Sequence, residues 1–190
     1  MPKEEEDEKK ILKEMVDKPM GDDDIKHYLK NPKIILYNEL PKYNDINEIL
    51  PSVKSYAIIL YQSSPNSGHW CTIMRPTENT LEFFDSYGKG VDHSLTWLSN
   101  EENKKLGITD KYLTNLIKKS GYELIHNKTC FQGNNDGVST CGRHCCFRIQ
   151  NMKRNNMNIE DYTHMMKATK NKTNMNFDKL VSVMVSPEAE

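Results

Sequence analysis

Residues 131–150 read FQGNNDGVSTCGRHCCFRIQ, a polar, glycine-bearing loop that turns into an apolar run at Cys141. From Cys141 onward, Cys145, Ile149 and Met152 fall at i+4, i+8 and i+11, which is one face of a helix. This predicts a buried helix with Cys141 in its first turn, immediately before Gly142. A thiol there meets partial positive charge and unpaired backbone N–H groups. Both favour the thiolate, the reactive form of cysteine. The same N–H groups can stabilise an oxyanion.

A buried helix needs a layer to pack against, and the chain upstream supplies strands. Tyr56 to Tyr61 (YAIILY) is a β-branched apolar run of strand length, expected to be buried on both faces. Ser63 to Gly68 is expected as a loop, His69 to Arg75 as a second strand, Pro76 to Asn79 as a turn and Thr80 to Asp85 as a third strand. Tyr122 to His126 reads as a fourth, and Ile34 to Tyr37 as a short apolar run of open type. Helices are expected around these strands. Asp22 to Asp24 can cap one that carries Ile25, Tyr28 and Leu29 and stops at Asn31-Pro32. Val91 to Trp97 reads as helical after Asp92. Thr109 or Asp110 can cap a helix through Leu113, Leu116 and Ile117, with Gly121 as its stop. Asn158 can cap another through Ile159, Tyr162, Met165 and Met166, and Phe177 to Val185 is helix or strand. The class is α+β: a central mixed sheet of about four or five strands flanked by helices, with the helix at Cys141 packed against it.

Residues 1–19 form a charged N-terminal extension. Its few apolar residues, Ile11, Leu12, Met15 and Val16, share a helix face, so it is a helix or a solvated tail. Residues 20–190 are expected as one domain, an ordinary size for a single core. The net charge of −1 gives no electrostatic case for nucleic acid or an anionic membrane, and no apolar run approaches bilayer length. Five cysteines, an odd number in a chain with a charged start, point to reduced thiols in an intracellular compartment. The Asn-Lys-Thr triplets at 127–129 and 171–173 then carry no glycosylation meaning.

A nucleophilic thiol needs a base, and the base needs an orienting group. His69, where the loop through Gly68 enters a strand, is the candidate base; read alone it could equally be a half-buried histidine beside Trp70. Asp85 closes the next antiparallel strand and so returns to the same end of the sheet, close enough to hold the imidazole by its other nitrogen. On its own it could be a turn former ahead of Ser86-Tyr87-Gly88. Gln132, in the loop before Cys141, can donate its amide to an oxyanion alongside the Cys141 backbone N–H. His144, one turn along the same helix, is a rival base. His69, Cys71, Cys141, His144, Cys145 and Cys146 are also possible zinc ligands, but their spacing fits no common finger, and Cys71, Cys145 and Cys146 read as core. No metal or cofactor is expected.

Gly68-His69-Trp70, then Phe84-Asp85-Ser86-Tyr87-Gly88, then Gln132-Gly133 and Ser139-Thr140-Cys141-Gly142 with Cys145-Cys146, resembles the adenain family of viral maturation proteases and the wider clan of ubiquitin-like-protein proteases. The resemblance covers roughly Tyr56 to Met152, and the size and asparagine-rich composition look most like the maturation proteases of virophages and Polinton-type elements. It implies a cysteine endopeptidase with His69 as base, Asp85 as orienting acid, Gln132 as oxyanion-hole amide and Cys141 as nucleophile. It also implies a narrow cleft partly lined by Trp70 and favouring small residues, a capsid or core protein as substrate, and action in the virus factory or virion. An isopeptidase acting on ubiquitin-like modifiers and an inactive binding relative are the alternatives within the clan. Asn134-Asn135-Asp136-Gly137 lengthens the loop before Cys141 relative to the family. Cys130 does not match the family's peptide-linking cysteine and the net charge of −1 does not support the family's DNA binding, so neither an activating peptide nor DNA is carried over as a partner.

Overall fold

The computed structural model describes residues 2–186. It is an α+β fold built on a five-stranded mixed sheet with helices on both faces. The strands are β1 (Lys33–Leu36), β2 (Tyr56–Ser64), β3 (Ser67–Met74), β4 (Thr80–Phe84) and β5 (Glu123–His126), and they lie in that order across the sheet. β2, β3 and β4 pair antiparallel, while the two outer pairs, β1 with β2 and β4 with β5, are parallel. The helices are α1 (Pro2–Asp17), α2 (Asp22–Leu29), α3 (Ile46–Ile49), α4 (Asn100–Lys105), α5 (Tyr112–Ser120), α6 (Cys141–Asn155), α7 (Ile159–Thr173) and α8 (Phe177–Met184). Tyr37–Lys42 and His93–Trp97 are 3-10 turns.

Strand alternation divides the core in two. Ile58, Leu60, Trp70, Met74 and Phe84 face α2, α6, α7 and α8 on one side. Ala57, Ile59, Tyr61, Cys71, Ile73, Leu81 and Phe83 face α3 and α5 on the other. The YAIILY run therefore loses its water on both faces, as its composition requires. A buried ion pair ties sheet to helix on the α6 side. Arg148 of α6 holds Glu82 of β4 through Nε at 2.7 Å and Nη2 at 2.8 Å, both side chains being fully buried. The guanidinium also donates to the Met157 carbonyl and lies over the Tyr162 ring.

The expected loop at Ser63 to Gly68 is instead mostly strand. β2 and β3 continue into a hairpin that turns at Pro65-Asn66, with an irregularity between Gln62 and Ser64. Gly68 sits against it: a Cβ there would lie 2.0 Å from the Tyr61 carbonyl oxygen. That close approach of two backbones needs glycine. β1 resolves the Ile34 run as an edge strand, and Phe177–Met184 is a helix. Among the described residues no helix is long and apolar enough to cross a membrane.

Candidate active site

α6 begins at Cys141, as its periodicity predicts. Thr140 occupies the cap position, but its hydroxyl turns away and donates to Asp178 Oδ1 of α8 at 2.5 Å. No side chain therefore caps the first turn, and its N–H groups stay free at the thiol. Asp178 also accepts from the Gly133 N–H at 2.9 Å and from His144 Nε2 at 3.2 Å. It fastens both ends of the loop that runs from Gln132 to Cys141. Burial pushes Asp178 toward the neutral form, but the donors from His144, Thr140 and Gly133 hold its carboxyl below the usual range. Burial dominates at His144, and its pKa is lowered. This second histidine is thus a neutral hydrogen-bonding strut, fully buried beneath the loop rather than facing the cleft.

His69 and Asp85 meet as the antiparallel β3–β4 pair requires. Nε2 of His69 lies 2.8 Å from Asp85 Oδ1, and both side chains are buried. The same oxygen accepts from the Tyr87 N–H at 2.9 Å. Asp85 lies one residue past β4, and Asn127 replaces the missing ladder there. Its Oδ1 accepts from the Asp85 N–H at 3.0 Å and its Nδ2 donates to the Asp85 carbonyl at 2.6 Å. Gly88, at φ +72°, completes the turn, where a Cβ would press into the backbone of Lys128 and Thr129. The ring of Tyr87 stacks on the imidazole at 5.0 Å, and Trp97 tilts over it at 5.1 Å. Trp97 is 50 % exposed, an indole open to solvent above the histidine.

With Nε2 committed to Asp85, Nδ1 is the ring nitrogen left for the thiol of Cys141. Burial opposes the imidazolium. The neighbouring Cys71 sulfur, the Asp85 carboxylate and the Cys141 sulfur favour it, and the imidazole is held well above the ordinary histidine range. Burial pushes Cys71 itself up to about 12, so that thiol is protonated near neutrality and Asp85 and Cys141 are the partners that count. Burial also opposes a thiolate at Cys141. The hydrogen bond and charge of His69 and the backbone N–H groups of Trp70 and Gly142 overcome it, and the pKa falls below the ordinary thiol value. A thiolate–imidazolium pair is the arrangement these shifts favour. Cys145 and Cys146 are pushed the other way by burial, and all five cysteines are free. Cys71 is fully buried while Cys141 is partly open to the cleft, which leaves Cys141 the accessible thiol of the two. The His69, Cys71 and Asp85 ligand atoms lie within 4.8 Å of one another, the one such group among the described residues close enough to hold a metal ion. His144, Cys145 and Cys146 of the wider zinc set are not part of it.

Cys141, His69, Trp70 and Gln132 open on a common cleft of about 540 Å³, walled by Met20, Gln62, Tyr87, Trp97 and Val138 among others. Gln132 is buried, with its amide oxygen accepting from the Ser86 hydroxyl at 2.7 Å and its Nε2 directed to the Val138 carbonyl at 3.4 Å. Trp70 pairs regularly with Leu60 across β2 and β3, so it points to the α6 side, away from the face of His69. The strand irregularity lies at Gln62 and Ser64 rather than at Trp70. The indole is a core residue whose edge reaches the cleft floor, with Nε1 donating to the Met20 carbonyl at 3.0 Å. Sequence reading missed Ser86 and Tyr87 as participants, although both stand inside the Phe84–Gly88 motif. It also missed Asn127, dismissed with its glycosylation triplet, and Trp97 and Asp178, which no local signal marks.

No protein-family model matches the chain. A curated relative does: it is 33% identical over 127 residues to the "Uncharacterized protein V9" of Sputnik virophage, covering 66% of this chain and 72% of that protein.

Proposed function

The chain belongs to one family with protein V9 of Sputnik virophage, and from that premise we propose that it is a cysteine endopeptidase acting on the proteins of its own particle. The observation that carries the reading is the convergence of Cys141, at the uncapped start of α6, with the hydrogen-bonded His69–Asp85 pair in one cleft. Nucleophile, base and orienting acid come from three separate elements, and the shifts of Cys141 and His69 run in the directions that covalent catalysis needs.

In this mechanism the Cys141 thiolate attacks the carbonyl carbon of the scissile amide. The displaced π electrons settle on the oxygen, where the first-turn N–H groups of α6 and the Gln132 amide receive them. Collapse re-forms the carbonyl and breaks the C–N bond, and the amine leaves with the proton from His69 Nδ1. Water then adds to the thioester as Nδ1 takes its proton, and collapse frees the acid and regenerates the thiolate and imidazolium. Asp85 keeps Nε2 protonated and the ring aimed throughout. A chain of this kind needs an extended, exposed segment of substrate, and a capsid or core protein during maturation is the substrate proposed.

The test is co-expression of the chain, or of its Cys141→Ala form, with the capsid protein of the same element, followed by intact mass measurement. Discrete fragments with the wild-type chain alone support the reading. Cleavage of a ubiquitin-like-modifier conjugate with the capsid protein left whole would move the activity to isopeptidase. Binding of either protein without any cut, together with a Cys141 inert to electrophilic thiol probes, would make the chain a binding protein.

A further inference from the structure

From the last turn of α1 through its connection to α2 the chain runs as a strap beside the cleft, and its carbonyls are taken up at alternate residues by three different parts of the site. The Val16 carbonyl accepts from the Ser139 N–H at 3.0 Å, in the loop that ends at the nucleophile. The Lys18 carbonyl accepts from Arg143 Nη1 of α6 at 2.6 Å. The Met20 carbonyl accepts from Trp70 Nε1 of β3 at 3.0 Å. Met20 is buried and packs directly on the residue after the nucleophile: a Cβ on Gly142 would sit 3.0 Å from Met20 Cβ. Asp17 abuts Gly137 in the same loop, and a Cβ there would lie 3.1 Å from its carboxylate. α1 packs on α8, whose Asp178 grips that loop from its other side.

Most connections between helices satisfy their carbonyls locally or in water. This one, with the last turn of α1, gives three of them to the loop, helix and strand that fix Cys141 relative to His69, and Pro19 to Asp22 form part of the cleft wall. We propose that Val16 to Met20 is an intramolecular brace that positions the nucleophile, so that loss of the N-terminal segment switches the site off while the sheet and its two cores remain. Residues 1–20 would then be a built-in activating segment, and cutting the chain near Gly21 would end the activity. The inference rests on the protease reading for its biological sense. Its physical content is the position of one thiol.

The experiment compares the whole chain with one that starts at Gly21. It follows peptide hydrolysis, melting and the pH dependence of Cys141 alkylation by iodoacetamide. Removal is expected to lower hydrolysis by about 10²-fold, the size of effect that roughly 1 Å of misplacement produces. It should also move the alkylation midpoint up toward that of an ordinary thiol, because Cys141 slips from His69 and the Trp70 N–H. A synthetic peptide of residues 5–20 should restore both, saturably. If the shortened chain does not melt cooperatively, Arg143→Met in the whole chain removes one of the three donors and should shift both readouts the same way, by less. A folded shortened chain, or an Arg143→Met chain in its stead, with unchanged hydrolysis and midpoint overturns the brace. The midpoint needs no substrate, so a whole chain that cuts nothing would sink the protease reading while the comparison between chains still decides this one.

Discussion

The hydroxyl of Ser86 donates to the side-chain oxygen of Gln132 at 2.7 Å, and the Ser86 carbonyl accepts the backbone N–H of Gln132 at 3.0 Å. The serine thereby clasps the glutamine at both ends. With its oxygen occupied and Nε2 near the Val138 carbonyl, the amide can present only N–H to the cleft.

Gln132→Ala should accordingly lower kcat by about 10²–10³-fold, the usual effect of removing one oxyanion donor. Ser86→Ala leaves the donor but frees the amide to turn, and should cost about tenfold. Neither change touches the thiol, so the alkylation rate of Cys141 stays at the wild-type value. A Ser86→Ala protein with full kcat would show that Gln132 is held by its surroundings and not by the serine.

The opposed shifts of Cys141 and His69 set the pH dependence. The Cys141 pKa is lowered from 9.0, so its thiolate forms as pH rises through a value below that. The His69 pKa is raised well above 6.5, so its proton is lost only on the alkaline side. Activity should rise through the first value and fall through the second, with its maximum between them. His69→Ala removes the cation, and the alkylation midpoint of Cys141 should climb toward 9 or beyond while hydrolysis is abolished. Asp85→Asn keeps the shape but not the charge and should cost less than His69→Ala. An alkylation midpoint unchanged in His69→Ala would mean that the helix start alone activates the thiol.

The Glu82–Arg148 pair concerns stability only. Arg148→Met leaves a carboxylate buried without its partner, which typically costs about 3–5 kcal/mol. For a chain of this size that is a fall in Tm of roughly 10 °C. Adding Glu82→Gln should recover much of the loss, since the uncompensated charge, rather than the absent pair, is the penalty. Thermal melts of the single and double variants measure this, and a double variant no better than the single would contradict it.

Trp97 is exposed above His69, and Trp70 lines the same cleft. Trp97→Ala should leave the melting temperature within a few degrees, because little buried area is lost, and should raise KM for protein substrates by about tenfold. The narrow cleft that the family resemblance implies is expected to favour small residues next to the cut. A peptide-library profile favouring bulky side chains there would oppose both the narrow cleft and the maturation substrate.

Legibility in the sequence followed the range of each interaction. The start of α6 could be read because a helix face repeats along the chain. The His69–Asp85 contact could be read because two adjacent antiparallel strands return to one sheet end. Gln132 and Cys141 share a loop, and the family resemblance supplied their roles. Ser63 to Gly68 was misjudged because Pro65 and Gly68 look like loop residues. Gly68 is there to let two strands approach, and Pro65 sits in the hairpin turn itself.

The sequence by itself thus determined the α+β class, most of the strands and helices, the start of a helix at Cys141 and the return of Asp85 to His69, because periodicity, turn chemistry and short-range return of the chain are written in neighbouring residues. Only the tertiary structure decided which distant side chains hold these residues: the Asp178 carboxylate from α8 on Thr140, and the Asn127 amide bracketing the Asp85 backbone. It alone decided that Trp70 faces the core, that Cys71 is fully buried while Cys141 is partly open to the cleft, and that Val16 reaches the loop before Cys141. Those pairings join residues far apart in the chain, and a hydrogen bond or a desolvated thiol carries no mark in its local sequence of the distant atoms that satisfy or bury it.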